Sequence, residues 1–294
     1  MPFDPIPLIR VLTMACLFGL LLAVGLRLTL SAVTESLRKC RLGAVLAANF
    51  IVVPAMVLVL VKSFRLDAEM AAGMILLGAS PFAPVVPVFT RMVRADLALA
   101  AGLTALVPLL SAFLTPLVAK LALQFVSRVG DLQFRVPAIL LMLTGTIVVP
   151  LALGMAMRSL APRFSARCLR PMEILSEVTG ALSLAVVVVA EHKSILGVGF
   201  KPLLAMAIGF ELSLLTGYML GGTERAARRV VALGTSNRNI ALALLVAVAS
   251  FPGTAVMSAV VANGMVLILL GLAHVGIWRF IRDRRLAVRA GNVP

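Results

Sequence analysis

Apolar runs of about twenty residues, the length of a helix that crosses a bilayer, recur along the chain with short polar segments between them. Uninterrupted runs cover residues 6–30, 42–61, 97–125, 136–157, 173–190, 202–221 and 254–280. Arg27 falls near the end of the first, where a long side chain can reach the interface. Two further runs are broken. Between 68 and 93 the sequence Ser80-Pro81-Phe82-Ala83-Pro84-Val85-Val86-Pro87 places three prolines in seven residues. Each proline removes an amide donor and clashes with the preceding turn, so no continuous helix passes through. Asp96 then suits the cap of the next helix.

The second broken run carries Gly234-Thr235-Ser236-Asn237-Arg238-Asn239 between Val230–Leu233 and an apolar stretch from Ile240 onward. A polar group in hydrocarbon costs free energy unless it is paired or hydrated. An arginine at mid-span costs roughly 2.5–3.5 kcal/mol. This stretch is therefore expected to face protein or a solvated hollow. The bland alternative is an interfacial loop between two short helices, for which the flanks are too short.

Together the runs predict an all-α membrane protein with nine crossings. Composition agrees: of 294 residues, 61% are hydrophobic and 13% charged, with a mean hydropathy of +1.09. The formal net charge of +15 would suit a nucleic-acid binder if it were clustered on one soluble face. Instead the lysines and arginines sit in short loops beside apolar runs, so no nucleic-acid partner is expected and the immediate partner is lipid. With the N-terminus outside, the inner loops and tail collect 17 Lys and Arg against 8 outside. That bias places the C-terminus in the cytoplasm. The expected location is a plasma membrane or a bacterial inner membrane. Met1–Pro7 has no basic segment before the first run, so a cleaved signal peptide is not expected.

The three cysteines (Cys16, Cys40, Cys168) show no Cys-x-x-Cys spacing, and the only histidines are His192 and His274. Neither a disulfide framework nor a metal site is expected. No His-Glu-x-x-His or Gly-x-Ser-x-Gly supports an intramembrane enzyme. Glu177 and Glu211 lie in apolar surroundings. Either could pair with Arg238 or carry protons.

With the N-terminus outside, the two broken runs cross in opposite directions, each followed by one long helix. Interrupted helices at matching places of two oppositely oriented halves point to the binding site of a secondary transporter. At this point the chain resembles the sodium–bile acid symporter family. The resemblance rests on Leu17-Phe18-Gly19 through Gly25-Leu26-Arg27-Leu28-Thr29-Leu30, on Gly78-Ala79-Ser80-Pro81 with Thr90–Leu99, on Leu114-Thr115-Pro116, on Gly217-Tyr218-Met219-Leu220-Gly221 and on Gly234–Ala241.

It implies two inverted halves, about 6–125 and 136–281, whose broken helices cross within a single domain spanning 1–294. A basic cytoplasmic tail, 282–294, follows. The family has ten helices, and the first has no counterpart here. The resemblance also implies losses at its sodium sites: Ala232 replaces a glutamate, Val86 and Pro87 replace Ser-Asn, and Ala100 replaces a serine. Thr104 and Asn237 persist, Asn49 stands for a glutamine, and Asn263 matches a polar residue facing substrate. Arg238 has no counterpart.

The expected function is a secondary transporter moving a small or amphipathic organic anion by alternating access. The expected substrate set is Ser80, Pro81, Ser236, Asn237, Arg238, Asn239 and Asn263. A degraded cation set comprises Asn49, Thr104 and Thr235. No cofactor is expected, and sodium and protons both stay open as coupling ions. The alternatives are a proton-coupled or uncoupled carrier, or a passive channel. Arg238 is expected either to attract the anion, as a bound cation would, or to pair with Glu211 or Glu177. An arsenite carrier would place a thiol where Ser80 stands.

Overall fold

The computed structural model describes residues 4–38, 40–126 and 134–289, and every regular element within them is a helix. In order these are α1 Ile6–Arg27, α2 Leu30–Leu37, α3 Leu42–Ser63, α4 Ala68–Gly78, α5 Val86–Met92, α6 Leu97–Leu123 and α7 Val136–Leu160. Then follow α8 Pro162–Ala190, α9 His192–Leu196, α10 Phe200–Leu220, α11 Arg225–Ser236, α12 Ile240–Ser250 and α13 Val256–Arg289. Among the described residues eight stretches are long and apolar enough to cross a membrane: α1, α3, α6, α7, α8, α10, α11 joined to α12, and α13 as far as Ile281. The ninth expected crossing is in two pieces, α4 and α5, neither of which is long enough alone.

Local chemistry explains the ends. Asp67 caps α4 by accepting from the Met70 amide at 2.9 Å, and Asp96 caps α6 by accepting from Leu99 at 3.0 Å. Two helices widen to π turns, α3 at Ala48–Val52 and α7 at Thr144–Val148. Each widening directly precedes a Val-Pro pair, Val53-Pro54 or Val149-Pro150. The proline cannot return a hydrogen bond to the turn before it, and the wider turn relieves its clash.

Three expected boundaries change. The basic segment with Arg158, Arg163, Arg167 and Arg170 is not a loop: Arg158 lies in the last turn of α7, and the other three lie on the first turns of α8. Pro162, with its fixed φ, starts that helix. The three arginines then fall three or four residues apart on an exposed face, while buried Ser165 donates to the Leu26 carbonyl at 3.1 Å. Cys168 therefore sits on a helix. At the other end α13 continues through Arg289, so the expected tail begins within this helix. Lys39 of the first basic loop and residues 127–133 of the polar loop lie outside the described residues.

α1 packs closely on α7 and α8, α10 on α11, and α4 on α13. The first contact depends on glycine. A Cβ on Gly25 would lie 2.4 Å from the Leu151 carbonyl oxygen, and one on Gly154 would lie 2.4 Å from that of Leu22. The helices touch backbone to backbone, as small residues permit inside membranes.

A second close approach holds the centre. A Cβ on Gly234 would fall 1.9 Å from the Phe82 ring. That ring is fully buried, and Phe82 itself holds a φ of +61°, so neither side has room to yield. Gly234→Ala is expected to destabilise the protein by about 1–3 kcal/mol, the usual cost of overpacking. Thermal unfolding of the detergent-solubilised protein would show it as a lowered midpoint.

Candidate functional site

The two breaks meet. Residues 79–85 separate α4 from α5, and Asn237-Arg238-Asn239 separate α11 from α12. Their backbones pair reciprocally: the Ala83 amide donates to the Asn237 carbonyl at 2.8 Å, and the Asn239 amide donates to the Ser80 carbonyl at 2.8 Å. Remaining groups find local partners. Thr115 of α6 donates its hydroxyl to the Ala79 carbonyl at 2.7 Å, and Ser80 donates to Leu76 at 2.8 Å. The Asn237 side chain donates to the Leu233 carbonyl at 2.9 Å, and Asn239 caps α12 by accepting from Leu242 at 3.0 Å. Buried backbone that leaves a helix needs such partners in a membrane, and here the two breaks supply most of them to each other.

Around this crossing the structure gathers most of the expected residues. Ser80, Pro81, Ser236, Asn237, Arg238 and Asn239 are all buried there. Asn49 and Thr235 join them: the Asn49 amide donates to Thr235 Oγ1 at 3.1 Å, while its Oδ1 accepts from Arg238 Nη1 at 3.2 Å. Arg238 Nη1 also reaches the Asn49 carbonyl at 3.5 Å. Pro54 lacks the N–H that a π turn would direct at that carbonyl, which leaves the oxygen free for the guanidinium.

Arg238 is only 4% exposed. Its Nε and Nη2 have no hydrogen-bond partner among the described residues. Arg238 lines a small cavity with Ser236, Asn263, Ser213 and the last turn of α4 (Leu77, Gly78). The cavity measures about 20 Å³ as the space open to a water's centre, where one water needs about 10–15 Å³. Neither expected acid approaches Arg238. Glu211 lies 3.3 Å from His274 Nε2 instead, and Glu177 lines a different cavity. The ion-pair reading of Arg238 thus finds no support among the described residues.

That other cavity is far larger, about 410 Å³ on the same measure. It lies between α1 and α8 on one side and α5 and α6 on the other. Pro84 of the first break and Pro87 at the start of α5 reach its wall, as does Thr104, which donates to the Ala100 carbonyl at 2.7 Å. Thr104 makes no hydrogen bond to Asn49 or Thr235 among the described residues. Arg27, Arg91, Arg170, Glu173 and Glu177 also line the cavity. Glu173 pairs with Arg27 and lies 3.6 Å from Arg170. Arg91 forms no ion pair among the described residues and is exposed.

Sequence reasoning counted Arg91 only towards the inner-face charge and treated Arg27 as snorkelling. The signal that both face one cavity was their shared place on the arginine-rich side. At the positions that the resemblance links to sodium, Ala232 is fully buried against α10, Val86 is buried, and Pro87 faces the large cavity.

A model of the sodium bile acid symporter family matches residues 14–198. A comparison with curated proteins finds no match. The matched stretch contains the first break, while Arg238 and the second break lie beyond it.

Asn49→Leu is expected to cost about 1.5–3 kcal/mol, since it strips a buried charged donor of its one side-chain partner. Asn263→Ala, whose amide has no partner among the described residues, is expected to lower the thermal midpoint far less.

Proposed function

Since the chain belongs to the sodium bile acid symporter family, and is accordingly a membrane transporter and not an enzyme, we propose that it carries a small or amphipathic organic anion by alternating access. The observation that supports this most is the large cavity, which runs from an arginine-lined mouth to Pro84 and Pro87. A cavity of this size, with an apolar wall from α1 and a cluster of charged groups, suits an amphipathic molecule, and Arg91, without an ion-pair partner among the described residues, offers its anionic end a guanidinium.

The mouth lies where α1 and α5 end and α8 begins. By the distribution of Lys and Arg this side is cytoplasmic, so the conformation is open inward. On the opposite side the Ser258 hydroxyl at the start of α13 donates to Glu191 at the end of α8 at 2.9 Å. Alternating access in this reading moves α1, α7 and α8 as a block against the helices that hold the crossing. The two halves, about 6–125 and 136–281, would be the inverted repeats, with residues 68–93 as the ninth crossing. A passive channel has less support, because the crossing is closed by its own backbone bonds.

A link to protons draws on a second observation. His274 Nδ1 lies 3.0 Å from the Leu270 carbonyl, which can only accept, so Nδ1 carries a hydrogen. Nε2 lies 3.3 Å from Glu211, so two titratable side chains meet between α10 and α13.

Purified protein in liposomes is expected to show saturable exchange of a labelled organic acid; a rate that rises linearly with concentration would sink the carrier reading. Arg91→Gln is expected to raise KM about two- to fivefold, the worth of one exposed charge.

A further inference from the structure

We infer that the Arg238 guanidinium is a tethered cation, seated where a transporter of this design holds its coupling ion, so that transport proceeds without sodium. The inference rests on the carrier reading above and names its coupling.

The place of Arg238 is a cation site by its surroundings. The cavity it lines is also lined by the last turn of α4 and by Ser236, the final residue of α11. Each helix C-terminus carries roughly half a negative charge, so two such ends together balance about one positive charge. Half-helix C-termini and unwound carbonyls are what hold cations in transporters with broken helices. Side-chain oxygen is present as well: Asn49 turns both its carbonyl and Oδ1 toward Nη1, at 3.5 and 3.2 Å. No carboxylate pairs with Arg238 among the described residues, which a buried arginine ordinarily requires. Neutral oxygens instead meet the guanidinium at Nη1, and the two helix ends supply dipoles beside it.

Room is the second argument. The free space beside the guanidinium admits about one water. A sodium ion needs several oxygen ligands, and the oxygens of Asn49 are already engaged by Nη1. A mobile cation and the guanidinium would also repel each other at contact distance in a low-dielectric interior. Arg238 and sodium therefore exclude one another.

The test uses the full chain in liposomes, with uptake of a labelled organic acid measured in sodium, potassium or choline at equal ionic strength. Wild-type rates are expected to agree within about twofold across the three. Arg238→Ala is expected to lose transport in choline and to recover it with millimolar guanidinium, or with sodium, in the space vacated. Arg238→Lys, which keeps a cation, is expected to retain sodium-independent transport. Thermal unfolding of the Arg238→Ala protein provides a readout that does not need turnover: its midpoint is expected to rise with guanidinium or sodium over choline, while the wild type does not respond.

Wild-type transport that requires sodium would overturn the inference and leave the carrier reading standing. So would an Arg238→Ala variant indifferent to every cation. Absence of saturable transport for all acids tried would instead count against the carrier reading, and the thermal measurement would still decide on the cation site.

Discussion

Two peptide hydrogen bonds organise this molecule. The pair Ala83–Asn237 and Asn239–Ser80 ties one broken helix to the other at mid-depth. Neither break would be tolerable alone, because backbone that leaves a helix in hydrocarbon exposes groups that cost several kcal/mol each. By bonding to each other the two interruptions become a shared joint. Four half-helices then point their ends into the interior, and any charge placed there feels oriented dipoles in place of water.

The remaining architecture serves this joint. Thr115 braces it from α6, Gly234 lets the Phe82 ring fold over it, and Asn49 reaches it from the widened turn of α3. On the far side of α5 and α6 the large cavity touches the same joint through Pro84. The first break thus has two faces, one turned to the large cavity and the other toward Arg238.

Much of this was legible in the order of residues. Apolar runs of bilayer length gave the helices, and three prolines within seven residues marked the first break, since proline leaves a helix no choice. The polar hexad marked the second break, although its first three residues remain helical and only Asn237, Arg238 and Asn239 leave the helix. What escaped notice was long-range and set by packing. Nothing local tells that Asn49, almost 190 positions away, supplies the oxygen for Arg238, or that Glu211 prefers His274. The arginines of α8 read as a loop because charge clusters usually do; only the helix started by Pro162 places them on one exposed face. The split between a small cavity at Arg238 and a large one at Arg91 depends on how α1 and α8 lean on their neighbours. Sequence spacing carries no record of that.

The joint is made of main-chain atoms, and that bears on how such a protein can change over time. Side chains at Ser80, Asn237, Arg238 and Asn239 hang from a joint whose two cross-bonds run between main-chain atoms. Natural variation can therefore exchange them one at a time, trading a mobile metal ion for a fixed positive group or the reverse, without rebuilding the frame. Selectivity drifts while architecture persists, and closely similar skeletons can come to differ in what drives them.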